Sequence, residues 1–253
     1  MILKVLTKIK DIPANLIFMY RTGANLGLSV KYVVDEFRRI RTRQFSDNLE
    51  KYRSETSEMD FSQDWFSGNI PNWMVTIDRY SDKTKERVIA LEIGSFEGRS
   101  AFFLLSVIPN ATLVCVDTWQ GADEHKETEY IGGVEARFDK NIAKFKDRIV
   151  KFKGTSFAYY HSMSDARCVF DLIYVDGSHH ADDVIVDAVK CFELLKVGGV
   201  MIFDDYFSQL YPNVKDNPCS AINSFLYLKR DSYQVLYMGY QVHIRKTKDR
   251  YFL

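Results

Sequence analysis

From residue 88 onward the chain alternates short apolar runs, each closing on Gly or Asp, with longer stretches of helical character. The runs are VIALEIG (Val88 to Gly94), TLVCVD (Thr112 to Asp117), IVKFKG (Ile149 to Gly154), FDLIYVDG (Phe170 to Gly177) and GVMIFDD (Gly199 to Asp205). Near-continuous apolar runs of this length fit strands buried on both faces. Arg99 to Ile108, Tyr130 to Phe145 and Ala181 to Leu195 lie between them with helical spacing; Pro109 ends the first and Gly198-Gly199 follows the last. Strands alternating with helices imply a mostly parallel sheet with right-handed crossovers. Asn217-Pro218 supplies an N-cap and first helical position for one more helix, to about Lys229. YQVLYMGYQVHIRK then gives two strand-like runs around Met238-Gly239, a terminal antiparallel hairpin.

The first eighty residues lack this rhythm. Val30 to Ile40 has the spacing of an amphipathic helix, and Phe61 to Trp73 is an aromatic-rich stretch broken by Gly68 and Pro71. Residues 1–80 are therefore expected to form a mainly helical extension or cap, and residues 81–253 the core. With 46% hydrophobic and 27% charged residues, the chain can bury a sizeable core. A net charge of zero gives no global attraction to nucleic acid or acidic membranes. The first fifty residues hold nine Lys/Arg against five Asp/Glu, with Arg38, Arg39, Arg41 and Arg43 clustered. That cluster is either a solvated helix face or a contact for a polyanion or partner.

Cys115, Cys168, Cys191 and Cys219 form no CxxC pair, and they read as small apolar residues of a reducing compartment. No apolar run approaches the roughly 18 residues of a membrane span, and Met1 to Lys10 lacks the continuous apolar core of a signal peptide. A cytoplasmic location is expected.

LEIGSFEGRS (Leu91 to Ser100) carries the most chemistry. A strand delivers the chain to Gly94, and a helix starts near Gly98 or Arg99. Glycines let the turn approach a ligand, and the helix start offers free N–H groups to an anion at about 0.3–1 kcal/mol per contact. The spacing is G-x-x-x-G and not the G-x-G-x-x-G of pyrophosphate-binding loops. Asp117, nineteen residues after Gly98, ends the next strand where a carboxylate can accept both hydroxyls of a ribose.

A second constellation closes the fourth and fifth strands: Asp176, then Asp204 and Asp205. Carboxylates converging there repel one another unless a positive charge sits among them, and a hard divalent cation such as magnesium is the simplest answer. Ordinary Asx capping of loops is the competing explanation. His179, in DGSHH, lies three residues after Asp176, where an imidazole can serve as general base; His180 is its neighbour and competitor, and a structural role is the alternative.

The acidic-x-Gly-x-x-x-Gly motif of Glu92 to Gly98, together with Asp117, resembles that of class I S-adenosylmethionine-dependent methyltransferases, over roughly Arg87 to Lys246. The resemblance implies an α/β, Rossmann-like, doubly wound and mostly parallel sheet with a C-terminal antiparallel hairpin. It places Glu92, Gly94, Ser95, Gly98 and Ser100 near the methionine part of S-adenosyl-L-methionine. Asp117 would hold the ribose, Thr118 and Trp119 would flank ribose or adenine, and Gly154-Thr155-Ser156 would lie near the adenine. VDGSH with FDDY further resembles metal-dependent small-molecule O-methyltransferases, notably those acting on macrolide sugars. That implies Mg2+ on Asp176, Asp204 and Asp205, with His179 as base. Related catechol-type enzymes often carry Asn at the second position of the acidic pair, where this chain has Asp205. DWFSGNIPNW resembles a segment preceding the core in such families; Trp65 and Trp73 would line an acceptor site from it, or form a structural aromatic cluster.

The expected activity is methyl transfer to a hydroxyl of a small molecule or glycan, possible as a homo-oligomer. Two alternatives are a non-catalytic S-adenosylmethionine-binding scaffold and an RNA 2′-O-methyltransferase. The zero net charge argues against the second.

Overall fold

A computed structural model describes residues 2–39, 46–80, 86–121 and 132–249, with residues 2–10, 39, 46 and 80 described by backbone alone. The apolar runs form a seven-stranded sheet in the order β3-β2-β1-β4-β5-β7-β6. Its strands are β1 (Val88–Ile93), β2 (Ala111–Asp117), β3 (Ile149–Lys153), β4 (Phe170–Val175), β5 (Leu195–Phe203), β6 (Tyr233–Met238) and β7 (Val242–Lys246). The first five pair in parallel; β7 pairs antiparallel with both β5 and β6. The expected doubly wound sheet with its terminal hairpin is thus present. In chain order the helices are α1 (Ile2–Arg21), α2 (Leu26–Arg39), α3 (Ser46–Glu55), α4 (Ile70–Tyr80), α5 (Arg99–Val107), α6 (Val134–Ile142), α7 (Ser156–Ser162), α8 (Ala181–Leu194) and α9 (Pro218–Leu228).

Successive residues along each buried strand face opposite layers. Leu91, Ile93, Ile173, Val175, Met201 and Phe203 meet helices α1, α2, α7, α8 and α9 on one face. On the other face Ala90, Leu113, Leu172, Tyr174 and Ile202 meet Trp73 and Ile77 of α4 and the phenylalanines of α5 and α6. The helices before residue 81 therefore cover both faces of the sheet.

Three boundaries differ from the sequence reading. β5 begins at Leu195, four residues before Gly199, because Leu195 pairs with Phe170 ahead of a register shift; Gly198 (φ +85°) interrupts the strand and does not precede it. Pro71 lies in the first turn of α4, where a missing N–H costs nothing, and does not break the segment. The helix expected from Tyr130 is seen from Val134. Tyr130, and the side chains of Arg39, Arg41 and Arg43, lie outside the described residues. No described helix is long and apolar enough to cross a membrane.

Candidate active site

The β1–α5 turn is built on two left-handed glycines. Gly94 (φ +84°) passes so close to the next loop that a Cβ there would lie 1.8 Å from the Asp176 carbonyl oxygen. Gly98 (φ +81°) caps α5, and its N–H closes the turn on the Ser95 carbonyl at 2.7 Å. Glu92 is 1% exposed beneath the turn, where it accepts from Ser100 Oγ at 2.5 Å, with the buried Ser95 hydroxyl nearby. Burial pushes its carboxyl up to about 7.

Asp117 organises the same turn from the end of β2. Its Oδ2 accepts from the Ser95 and Phe96 N–H groups at 2.8 and 2.7 Å, and its Oδ1 from the Trp119 N–H at 2.6 Å. A carboxylate offers about four acceptor positions; Oδ1 thus keeps capacity for a ligand hydroxyl. Thr118 Oγ1 accepts from the Gln120 N–H at 3.2 Å. The indole of Trp119 turns inward, donating to the Phe96 carbonyl at 2.9 Å and packing 4.9 Å from the Phe138 ring. Ser156 opens α7 at the end of β3, with Thr155 as N-cap. Its hydroxyl lies on the side of Asp187, which accepts from Tyr160 Oη at 3.0 Å and whose carboxyl burial pushes up to about 6.

The turn and the first residue of α5 hold the segment before the core. Glu97, buried, accepts from Ser62 N and Oγ, both at 2.7 Å, and from Arg137 Nε at 2.6 Å. Arg99 donates to the Gln63 carbonyl at 2.8 Å and lies 4.2 Å over the Phe61 ring. Trp65 is 55% exposed, its ring 5.4 Å from Phe96. Trp73 is fully buried against Phe66, Phe103 and Tyr174, so it belongs to an aromatic cluster of the core.

Across Gly94, the carboxyl ends of β4 and β5 bring Asp176, His179 and Asp205 together, with one potential ligand atom from each within 4.8 Å of the others. His179 Nε2 lies 2.7 Å from Asp205 Oδ2, and Asp205 Oδ1 accepts from Tyr240 Oη at 2.7 Å. Asp205 has a left-handed backbone (φ +56°), which Asp tolerates better than most residues. Asp204 faces inward instead. Its Oδ2 accepts from Gln241 Nε2 at 2.7 Å and from Tyr174 Oη, and its Oδ1 from the Asp205 N–H at 2.7 Å. Tyr174 Oη also lies 2.9 Å from Asp176 Oδ2, so a single phenolic proton serves two carboxylates.

Burial and the negative charges of Asp204 and Asp205 hold the Asp176 carboxyl well above its usual range. Burial and Asp205 push Asp204 up to about 7. Burial opposes ionisation of Asp205 as well, but its hydrogen bond from His179, and the charge that imidazole carries when protonated, keep its carboxyl low. The donor set is mainly carboxylate oxygen, which suits a hard divalent cation, and positive charge is what Asp176 and Asp204 lack.

The structure thus gathers Glu92, Ser95, Ser100 and Asp117 around the β1–α5 turn and Asp176, His179 and Asp205 across Gly94, and leaves Ser156 apart at the start of α7. Four neighbours escaped the sequence reading. Tyr174 carried a usable signal, since it sits two residues before Asp176 and shares its strand face. Glu97, Tyr240 and Gln241 carried none; only the tertiary fold brings them in.

Residues 91–206 match the model of a family described as a methyltransferase domain, from the cofactor turn through the acidic pair. Over that stretch the chain is similar to a methyltransferase domain. Uncharacterized protein R132 of Acanthamoeba polyphaga mimivirus is 26% identical over 127 residues, 48% of this chain, and the match spans about half (53%) of that curated relative. The MycE methyltransferase of the mycinamycin biosynthetic pathway, solved with Mg, SAH and mycinamycin VI, aligns with TM-score 0.54 and 15% identity; the match covers 81% of this chain and 56% of that one. The O-methyltransferase TomG from Streptomyces achromogenes, involved in tomaymycin synthesis and solved with SAM, aligns with TM-score 0.50 and 14% identity over 88% of this chain and 100% of that one. At such identities these two likenesses speak for the methyltransferase fold alone.

Proposed function

We propose that this methyltransferase domain transfers a methyl group from S-adenosyl-L-methionine to a hydroxyl of a small molecule or glycan, assisted by a divalent cation, Mg2+ first. The carrying observation is the convergence of Asp176, His179 and Asp205 directly across Gly94 from the β1–α5 turn. The complexes of MycE with Mg and SAH, and of TomG with SAM, lend support by analogy of fold. In this reading Glu92, Gly94, Ser95, Gly98 and Ser100 surround the methionine moiety. The free acceptor capacity of Asp117 receives the ribose, and Thr118, Trp119 and Ser156 border the ribose and adenine side. The segment before α4, tied to the turn by Glu97 and Arg99 through Phe61, Ser62 and Gln63, would serve as the cap.

Asp176 and Asp205, with Asp204 behind them, would hold the cation. When bound, it would orient the acceptor hydroxyl and lower its pKa. His179 would take the hydroxyl proton, and Asp205, 2.7 Å from its Nε2, would stabilise the resulting imidazolium. The acceptor oxygen forms its bond to the methyl carbon as the carbon–sulfur bond breaks, with the electron pair leaving on sulfur. Holding both partners in line can supply several kcal/mol of the barrier reduction, on the order of 7 or more in well-oriented cases.

The test is calorimetric titration with S-adenosylhomocysteine, followed by transfer of labelled methyl to a panel of sugar and phenolic acceptors with and without Mg2+. Saturable binding and Mg2+-dependent transfer, lost in His179→Ala, are expected. Binding without transfer to any acceptor would favour a non-catalytic scaffold. Salt-sensitive transfer to RNA would favour a 2′-O-methyltransferase.

A further inference from the structure

Behind the acidic cluster lies a buried polar chain that the methyltransferase reading leaves unexplained. Gln241, 1% exposed in the β6–β7 turn, contacts residues from three parts of the chain. Its Oε1 accepts from Trp73 Nε1 of α4 at 2.8 Å and lies 3.3 Å from His243 Nε2. Its Nε2 donates to Asp204 Oδ2 at 2.7 Å. An indole nitrogen can only donate and an ionised carboxylate can only accept, so the amide has one satisfactory orientation. With Gln241 Oε1 accepting, His243 carries its proton on Nε2, and its Nδ1 accepts from Thr76 Oγ1 at 2.7 Å. Burial and the charge of Lys31 push the His243 pKa down to about 3, which keeps this ring neutral.

We infer that Gln241 is a positioning residue for the cation site: Trp73 and His243 fix its amide so that it holds Asp204 Oδ2 inward, while the Asp205 N–H holds Oδ1, and the pinned carboxylate backs the ligands Asp176 and Asp205. Tyr174 Oη supports the same oxygen from the neighbouring strand. The two donors immobilise a carboxylate whose rotation would otherwise be limited only by the Asp205 N–H on Oδ1. The chain also gives α4 a task, since Trp73 and Thr76 both lie on it and no other part of the chain supplies the indole N–H. Groups that orient metal ligands from behind typically account for about 10–100-fold in metal affinity.

This inference rests on the cation reading above, and the experiment separates the two. Mn2+ binding is measured by electron paramagnetic resonance, and S-adenosylhomocysteine binding by calorimetry, on wild type, Gln241→Met and Trp73→Phe. Gln241→Met keeps the bulk but donates nothing to Asp204. Trp73→Phe keeps an aromatic ring but removes the indole N–H together with part of the bicyclic ring, which frees the amide to flip; thermal stability is read alongside to register the lost packing. The expected result is Mn2+ affinity about tenfold weaker for Gln241→Met and about threefold weaker for Trp73→Phe, with S-adenosylhomocysteine affinity within about twofold of wild type. A role confined to packing would lower thermal stability and leave the Mn2+ affinity of the folded protein unchanged. Wild-type affinity for Mn2+ in both variants would overturn the positioning role alone. Absence of Mn2+ binding in wild type would overturn the cation reading and the inference with it. If Gln241→Met does not fold, Trp73→Phe decides by itself.

Discussion

Asp117 and Asp176 both stand at the carboxyl ends of parallel strands in one sheet, yet their surroundings are opposite. Asp117 sits among main-chain N–H groups from Ser95, Phe96 and Trp119. Asp176 sits among other carboxylates, with one phenol shared between it and Asp204. The first is a finished structure that the protein completes from its own backbone. The second is an arrangement with a deficit of positive charge. In the proposed reading the first receives the ribose and the second the cation.

The difference can be broken at several points. The largest effect is expected from Gly94→Ala, where a Cβ would collide with the Asp176 carbonyl and the backbone is left-handed. Strain and overpacking together should cost about 3 kcal/mol or more, read from urea unfolding midpoints. Asp117→Ala should come next: three backbone donors lose an ionised partner, lowering stability by about 2–3 kcal/mol and S-adenosylhomocysteine affinity at least about tenfold. Preserved affinity would show that the turn does not depend on this carboxylate.

Glu92 sharpens the contrast by pH. Its carboxyl rises from the ordinary 4.5 to about 7 in the fold. Across that window the folded state binds more protons than the unfolded one, so this group makes stability fall as pH rises from 4.5 to 7. Glu92→Gln should flatten that limb and gain up to about 3 kcal/mol over wild type at pH 8, measured without ligand. An unchanged pH profile would place the pH dependence elsewhere. At the acidic cluster, Mg2+ at a hundredfold its dissociation constant should stabilise wild type by about 2.7 kcal/mol, and Asp176→Asn should abolish the gain. The smallest effect is expected at the exposed Trp65, where Ala should cost under about 1 kcal/mol in thermal denaturation.

The sheet was legible because each parallel strand is a local apolar run whose last residue lands at the functional edge. Asp117, Asp176 and the Asp204-Asp205 pair could be placed at that edge from sequence alone. Of the N-terminal helices α2 was legible, as Val30 to Ile40, and the others only as a mainly helical region; none was legible as a layer, because nothing local says that α1 and α2 meet one face and α4 the other. Helix α7 was not foreseen, since SFAYYHS is too short to display a period. Trp73 illustrates the limit on side chains: its sequence position left open an acceptor wall or a structural aromatic cluster, and the fold places it in the cluster, behind Asp204 by way of Gln241. What Trp73 meets depends on Tyr174 and Gln241, more than a hundred positions away, and no spacing encodes them.

Gly94 also sets a length. Its Cα rests against the main chain of Asp176 and Gly177, and its N–H is tied to the Val116 carbonyl at 2.9 Å. The two halves of the site therefore share a seam of backbone, and their separation is a gauge, like the spacing of rails, that no change of rotamer on either side can widen.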